Sequence, residues 1–413
     1  MLKNPPNIIQ HIEMIGTSKE LQKAWEQVCR SLVRSKSRKK KIGADATKEP
    51  LKPKVLSLET IARSKRTELE EMWTIYTQQR GSLGFKMLNR HEQVLTYLLG
   101  FHLANTARMQ SLVDRLQQRI DLKKLLSSAK KIELFDIGCG TGATHQPLLP
   151  LISSKGPALQ MHLIDQNRLL VDAAKSFAEK LLPSASIQNH RFLLQNLLVD
   201  DSSIFLRNKE DDTLKITVLG YVWNELIKTP QARHKMLGLF KAINQKQLKH
   251  ILFVLEPAEE YKSRKALELR EELINAGYKA LYPCSQTSHS CPMLASNRDW
   301  CFSEAWWQKP KTQQAIDFML GLKRERLAYT GMVFASAALN VTSFMKGLEN
   351  KESVKKVVVG QPTQQTNPRT KTSEQIPVET FNYLLCDGEK LSKSEQSFTA
   401  NKNQLSRGEI WPL

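Results

Sequence analysis

Two groups of residues have types and spacings that could do chemistry. The first is Phe135-Asp136-Ile137-Gly138-Cys139-Gly140-Thr141-Gly142, a short apolar strand running into a glycine loop. Glycine suits this place because a strand-to-helix turn is tight and a ligand must approach the backbone closely. A side chain at Gly138 or Gly140 would fill the space that the amino-acid end of a cofactor needs. Asp165 closes the next strand, where its carboxylate can accept hydrogen bonds from both hydroxyls of a ribose. Gly138-x-Gly140-x-x-Ala143 also satisfies a dinucleotide pattern, so a nicotinamide or flavin site is the rival reading. Asp136 before the turn and the third glycine, Gly142, speak against that rival.

The second group is a set of cysteines. Cys284, Cys291 and Cys301 are separated by six and nine residues, and Cys386 follows much later. Thiolates are soft ligands, and four gathered in a reducing compartment suit zinc or an iron–sulfur cluster. The spacing matches neither the C-x₂-C of zinc fingers nor the short ferredoxin run, and buried structural thiols are the plain alternative. Cys29 falls in an expected helix and Cys139 in the glycine loop, which leaves neither as a ligand candidate. His289 is a possible substitute ligand.

The elements that must position these groups follow from pattern. Residues 1–33 show helical spacing, with Ile12, Leu21, Trp25, Val28 and Leu32 apolar. Residues 34–55 form a basic linker: Arg34–Lys54 holds nine Lys and Arg against two acids, with Ser, Gly and Pro among them. It reads equally as a solvated tether or an RNA-contacting arm. Residues 56–128 read as a helical domain whose scattered cations, Arg80, Lys86, Arg90 and Arg108, could face RNA.

Residues 129–282 alternate between strand and helix. Strands are expected at Ile132–Ile137, Gln160–Ile164, Ile187–Leu193, Lys215–Gly220 and His250–Leu255, with helices after the glycine loop and at Leu169–Leu181 and Gln231–Asn244. Such alternation predicts an α/β, mostly parallel, doubly wound sheet. Residues 283–413 hold the cysteines, a strand at Leu327–Ala335, a polar linker near 360–375, and a hairpin entered by Ile376–Leu385 and turning at Asp387-Gly388.

Lys and Arg outnumber Asp and Glu by 61 to 41 over 413 residues, a net charge of +20. That surplus favours a polyanionic partner, most commonly a large RNA. No stretch looks like a signal peptide, a transit peptide or a bilayer-spanning segment, so a cytoplasmic location and no membrane partner are expected.

The glycine loop resembles the first motif of class I methyltransferases. More of the chain, roughly residues 85–413, resembles the methyltransferase-like proteins of the small ribosomal subunit, found in mitochondria and in bacteria. The pieces carrying this are Asp136–Gly142, Tyr221–Leu226, Val254-Leu255-Glu256-Pro257, Pro283-Cys284, Cys291-Pro292, Asp299-Trp300-Cys301, Glu325–Tyr329, Leu385-Cys386-Asp387-Gly388 and Arg407-Gly408-Glu409-Ile410-Trp411. The resemblance implies a class I methyltransferase fold with an N-terminal helical region and a small C-terminal β domain. It implies S-adenosylmethionine held by Asp136, Gly138, Gly140, Gly142 and Asp165, with Asn196 where related folds place a residue beside the adenine. It also implies a [4Fe-4S] cluster on Cys284, Cys291, Cys301 and Cys386, and action on the small ribosomal subunit and its rRNA during assembly, with no DNA partner.

There are departures. Cys284-Ser285-Gln286 stands where the family often has Cys-Pro-His, Phe302 follows the third cysteine where His is common, and Glu256-Pro257-Ala258 replaces Glu-Pro-Gly. None removes a thiol. The Tyr221–Leu226 stretch lacks the Asn-Pro-Pro-Tyr sequence of many base-amino methyltransferases, and there is no cysteine pair placed for carbon methylation, so no catalytic residue is assigned. An active rRNA or ribosomal-protein methyltransferase, or an unrelated small-molecule methyltransferase, are the alternatives.

Overall fold

The structure is a computed structural model that describes residues 14–40, 56–78, 88–152, 157–182, 191–194, 205–206, 212–284, 290–296, 300–346, 357–358, 363–364, 378–386 and 391–399. Nine strands form the main sheet: β1 (Ile15–Gly16), β2 (Lys131–Ile137), β3 (Ala158–Asp165), β4 (Arg191–Leu194), β5 (Thr213–Gly220), β6 (His250–Glu256), β7 (Lys279–Tyr282), β8 (Ser303–Gln308) and β9 (Arg326–Ala335). Four more, β10 (Val357–Val358), β11 (Thr363–Gln364), β12 (Val378–Cys386) and β13 (Leu391–Thr399), form a separate antiparallel sheet.

β2, β5 and β6 are buried almost end to end, as strands covered on both faces must be. Side chains alternate between faces. Ile132 and Leu134 pack with one core cluster, while Phe135 and Ile137 pack with another. The first cluster takes in Trp25, Leu69, Leu103 and Leu112 from the N-terminal helices and Phe177 from helix Arg168–Leu181. The second takes in Phe240 and Leu267 from helices Pro230–Gln245 and Glu260–Asn275. Residues 56–128, read from sequence as a helical domain, thus share one core with the sheet.

The sheet order is β4-β3-β2-β5-β6-β9, with β7 and β8 pairing successive stretches of the outer edge of β9 and β1 beside β8. β9 runs antiparallel to β6, β7 and β8. Two half-wound lobes meeting between β2 and β5, with a reversed strand beside the fifth, make the class I methyltransferase fold expected from the sequence.

The expected strands and the helices at Leu169–Leu181 and Gln231–Asn244 appear, where described, with ends shifted by a few residues, and residues 187–190 of the strand expected at Ile187–Leu193 lie outside the described residues. Helix Lys19–Lys40 runs seven residues into the stretch read as basic linker, since Lys, Arg and Ser there do not interrupt a helix and the first glycine is Gly43. After the glycine loop stand only a 3₁₀ turn, Gln146–Leu148, and the single turn Leu149–Ile152, in a segment carrying Pro147 and Pro150. Ser57, Asp121 and Asn167 cap their helices by accepting main-chain N–H bonds. β12 and β13 pair without a slip from Val378–Thr399 to Cys386–Leu391. The turn at Asp387-Gly388 and residues 407–411 lie outside the described residues, as does most of the polar linker near 360–375.

Candidate functional site

A cleft of about 330 Å³ opens at the carboxyl ends of β2, β3 and β5, the place where doubly wound sheets bind ligands. Its floor is the glycine loop. Gly138, Gly140 and Gly142 have φ of 66°, 51° and 83°, values that L side chains adopt only with strain. A Cβ on Gly138 would stand 2.6 Å from Val222 Cγ2, whereas one on Gly140 would meet nothing within 4 Å. The two glycines therefore do different work: Gly138 lets the loop pass the turn after β5, and Gly140 leaves space open in the cleft.

Asp165 lies across from that space. Its Oδ2 accepts the Gly140 N–H at 2.9 Å and its Oδ1 accepts the Asn167 N–H at 2.8 Å. Each carboxylate oxygen keeps a lone pair for a further donor. Burial pushes this carboxyl up, against the pull of the two amides. Asp136 sits differently: it is fully buried beneath the loop, where its Oδ2 pairs with His145 Nδ1 at 2.7 Å. Asp136 and Gly142 do not line the cleft; they shape the loop from below. Asn196 and His289 lie outside the described residues.

The helical layer closes the cleft from the other side with Tyr76, Tyr97 and Asn105. Phe101 holds the two tyrosines in a stack with Trp73, with ring centroids 5.2–5.7 Å apart. A π-helical segment, Leu98–His102, turns His102 beneath the glycine loop, as such segments often do at sites. There His102 bridges Thr141 Oγ1 (2.8 Å) and Gln146 Oε1 (3.1 Å). Nothing in sequence spacing marks His102 as part of the site.

The Tyr221–Leu226 stretch forms the third wall, through Tyr221, Val222, Glu225 and Leu226. It is pinned by Glu256 at the end of β6, whose carboxylate accepts from Trp223 N (2.8 Å) and Asn224 Nδ2 (2.9 Å). Trp223 is buried, and its indole N–H donates to Lys265 O, so it packs the helix behind rather than facing a substrate. Arg108, which the sequence offered to RNA, is partly buried and donates to Ala328 O and Asn105 Oδ1. Arg80 and Lys86 lie outside the described residues.

Burial holds His102 and His250 far below the ordinary imidazole value, each down to about 3, and the neighbouring charge of Lys215 adds to the effect at His250. Both rings stay neutral in the fold, so below about pH 6.5 only the unfolded chain takes up their protons. The stability they support is complete above pH 6.5 and is lost as pH falls toward 3, by about 1.4 kcal/mol per pH unit for each ring. Asp136 and Asp165, raised by burial, gain protons in the fold and offset part of the loss at the acid end. Urea unfolding between pH 7.5 and 4.5 should show this decline beginning near 6.5; a flat profile would contradict it.

Of the four C-terminal cysteines, Cys284 and Cys291 lie near each other and near Arg270. Cys284 follows β7 and Cys301 precedes β8, so both flank the excursion between the two strands that share the edge of β9. Cys291 and Cys386 belong to the second, extended core cluster, Cys301 packs against it, and Arg270 Nε donates to Cys284 Sγ at 3.3 Å. Burial raises the Cys291 thiol, as does the nearby Cys284, while Arg270 opposes both. Among the described residues, no three His, Cys, Asp or Glu side chains are close enough together to hold a metal ion. Cys29 and Cys139 are buried elsewhere.

Kinship is decided along the chain: residues 133–346, just over half of it, match the family described as mitochondrial small ribosomal subunit Rsm22. The chain belongs to the Rsm22 family. The Rsm22-matched region spans the glycine loop, Asp165 and the first three of the four cysteines, and Cys386 lies beyond it.

No curated protein matches the chain. Among solved structures, it is similar to a class I S-adenosylmethionine-dependent methyltransferase from Listeria monocytogenes (13% identity, TM-score 0.34, covering 78% of this chain and 90% of that one). It is also similar to the CMeT domain of the citrinin polyketide synthase (13%, 0.35, 76% and 79%) and to an S-adenosylmethionine-dependent methyltransferase from Aquifex aeolicus (16%, 0.26, 42% and 89%). Overlaps this loose add nothing to what the strand order already shows.

Proposed function

We propose that this Rsm22-family chain binds S-adenosylmethionine in the cleft and acts on the small ribosomal subunit during its assembly, touching rRNA. One observation carries the cofactor reading: the open space above Gly140 faces a carboxylate, Asp165, that the Gly140 amide itself holds in place. The amino-acid end of the cofactor fits over Gly140, and the ribose hydroxyls fit the spare lone pairs of Asp165. When bound, S-adenosylmethionine supplies an electrophilic methyl group. The chain's own part is to orient the cofactor through the loop and Asp165, and to wall the cleft from water with Tyr76, Tyr97 and Tyr221.

The net charge of +20 supports the RNA partner. Sedimentation of the protein with purified small subunits tests this part of the reading. Co-sedimentation is expected at about 50 mM salt and should fall steeply by about 200 mM. A protein that stays in the supernatant at low salt would fit a small-molecule methyltransferase instead. Labelled methyl transfer to those subunits, lost in Asp165→Ala, would show turnover. The matched family is described as mitochondrial, and cell fractionation tests whether this chain is found there. No helix among the described residues is long and apolar enough to cross a membrane.

The cysteines support a second part of the proposal, a [4Fe-4S] group on Cys284, Cys291, Cys301 and Cys386. The support is the chemistry of the donor set: four soft thiols on segments at the edge of the main sheet and the end of β12, of which Cys284 and Cys291 lie near Arg270. Drawing the thiols into ligating distance would belong to the loaded protein. Such a group would fasten β12, and with it the C-terminal sheet, to the methyltransferase fold. Cys386→Ser should lower iron per chain by about half or more and lower the thermal midpoint with it, because metal binding is coupled to folding. Iron unchanged in that variant would exclude Cys386.

A further inference from the structure

Arg324 lies in the turn before β9, is 6% exposed, and is not among the residues that line the cleft. Its Nη1 donates to the carbonyl of Gly100 at 2.6 Å, while Nε and Nη2 both donate to Asp317 Oδ1. Its guanidinium stands 5.2 Å from the centre of the Trp73 ring and 5.9 Å from that of Trp307. A buried cation is tolerated when its charge is met and its donors are paired, and Asp317 meets the charge. Asp317 is also held by Lys309 Nζ (3.0 Å) and Gln313 Nε2 (3.2 Å), so its own place does not depend on Arg324 alone. The bond to Gly100 is additional, and it falls inside the π-helical segment Leu98–His102.

That segment sets the phase of the helix it interrupts. Tyr97 precedes it and Asn105 follows it, and both line the cleft. In an unbroken α-helix, side chains eight residues apart point about 80° apart. The extra residue of a π turn makes the spacing equivalent to seven, or about 20°. Asn105 Nδ2 accordingly reaches the Tyr97 hydroxyl at 3.4 Å. The same turn sets His102 against Thr141, with its ring stacked on Phe177 at 4.3 Å. A π turn inside an α-helix is rare, and a hydrogen bond from outside to its carbonyl favours it over the plain α-helical alternative. We propose that Arg324 is a positioning residue for the cofactor cleft. It grips Gly100 and Trp73 from outside the cleft, and so keeps Tyr97 in the wall and His102 under the glycine loop. Trp73 passes the support on, since it stacks on Phe101 and Phe101 stacks on Tyr97. This rests on the cofactor reading above, and it makes affinity for the cofactor depend on a side chain outside the cleft.

The test uses the full chain as the unsubstituted protein, Arg324→Lys, Arg324→Met and Asp317→Asn. Calorimetric titration with S-adenosylhomocysteine reads affinity, a melting curve reads global stability, and amide hydrogen exchange reads local opening. Arg324→Lys keeps a cation beside Asp317 but gives up the fork that reaches Gly100 as well. It should melt close to the unsubstituted protein yet bind S-adenosylhomocysteine about tenfold more weakly. Its amides should exchange faster in residues 98–105 and 138–146 but not in β6. Arg324→Met should show the same local change with a larger loss of affinity and a lower melting temperature. Asp317→Asn keeps an acceptor for the guanidinium and removes the paired charge, so melting should drop while affinity and loop exchange hold. Affinity and loop exchange unmoved in both Arg324 variants would overturn the positioning role and leave the cofactor reading standing. Affinity that falls only in step with melting temperature across the three variants would also overturn it, because Arg324 would then act on the fold as a whole. An unsubstituted protein that binds no S-adenosylhomocysteine would overturn the cofactor reading and the proposal together.

Discussion

Gly138→Ala is expected to weaken binding of S-adenosylhomocysteine at least about a hundredfold, equivalent to about 2.7 kcal/mol. The new methyl group would meet Val222 Cγ2 at 2.6 Å and Val222 Cβ at 3.0 Å. Valine is stiff about its first torsion, so it cannot swing aside cheaply. The loop must shift instead, and it must also hold an L side chain at a φ of 66°, a strain of about 1–2 kcal/mol by itself. Moving the loop moves the Gly140 amide away from Asp165, and so removes both halves of the cofactor seat together. Gly140→Ala is the informative companion. Its methyl group meets nothing in the free protein but sits at a φ of 51°, so stability should fall only by the backbone strain of about 1–2 kcal/mol while binding falls further, because the group occupies the cofactor's space. Calorimetric titration and a melting curve on each variant separate the two effects. Full affinity in Gly138→Ala would contradict this assignment of the loop.

Lys215→Met is expected to destabilise the fold by about 3–5 kcal/mol, among the largest effects of any single change. Lys215 and Glu133 face each other across β5 and β2, are 2% and 3% exposed, and meet at 2.5 Å. Lys215 also lies over the Phe135 ring, 5.6 Å from its centre. Removing the ammonium leaves the buried Glu133 carboxylate without the cation it meets at 2.5 Å, with Lys131 at 3.1 Å beside it. The double replacement Glu133→Leu with Lys215→Met removes the orphan charge along with its partner, and should recover most of the loss. Urea unfolding of the two single variants and the double variant gives the coupling directly. Additive losses would mean that the pair is not a unit.

These two sites differ in how far the sequence reveals them. The loop and Asp165 are legible because the chemistry depends on local spacing: a strand, glycines at a tight turn, then a carboxylate at the next strand end. The parallel strands are legible because burial on both faces leaves long apolar runs, as in His250–Glu256. The Glu133–Lys215 contact is not, because register between β2 and β5 follows from packing and not from either segment alone.

The same holds for β1, two residues whose pairing with β8 no local pattern marks. It holds for His102, placed under the loop by a π-helical segment, and for helix Glu260–Asn275, whose buried positions include Ser263 and Arg270 beside Leu267 and Leu273. The amphipathic helices of residues 56–128 show that they pack, but not that they pack on the sheet's own core. The cysteines lie between these cases. Their number and softness are read from the sequence, whereas which of them lie near one another depends on how β7, β8 and helix Glu260–Asn275 pack.

The identity of the ligand in the cleft decides the function. Its most direct test is a calorimetric titration of the anaerobically purified protein with S-adenosylhomocysteine, repeated with NADH. The expected result is saturable one-to-one binding of S-adenosylhomocysteine, lost in Asp165→Ala, with no heat from NADH. Binding of NADH without S-adenosylhomocysteine would hand the glycine loop to the dinucleotide pattern that Gly138, Gly140 and Ala143 also satisfy, and would contradict the account at its centre.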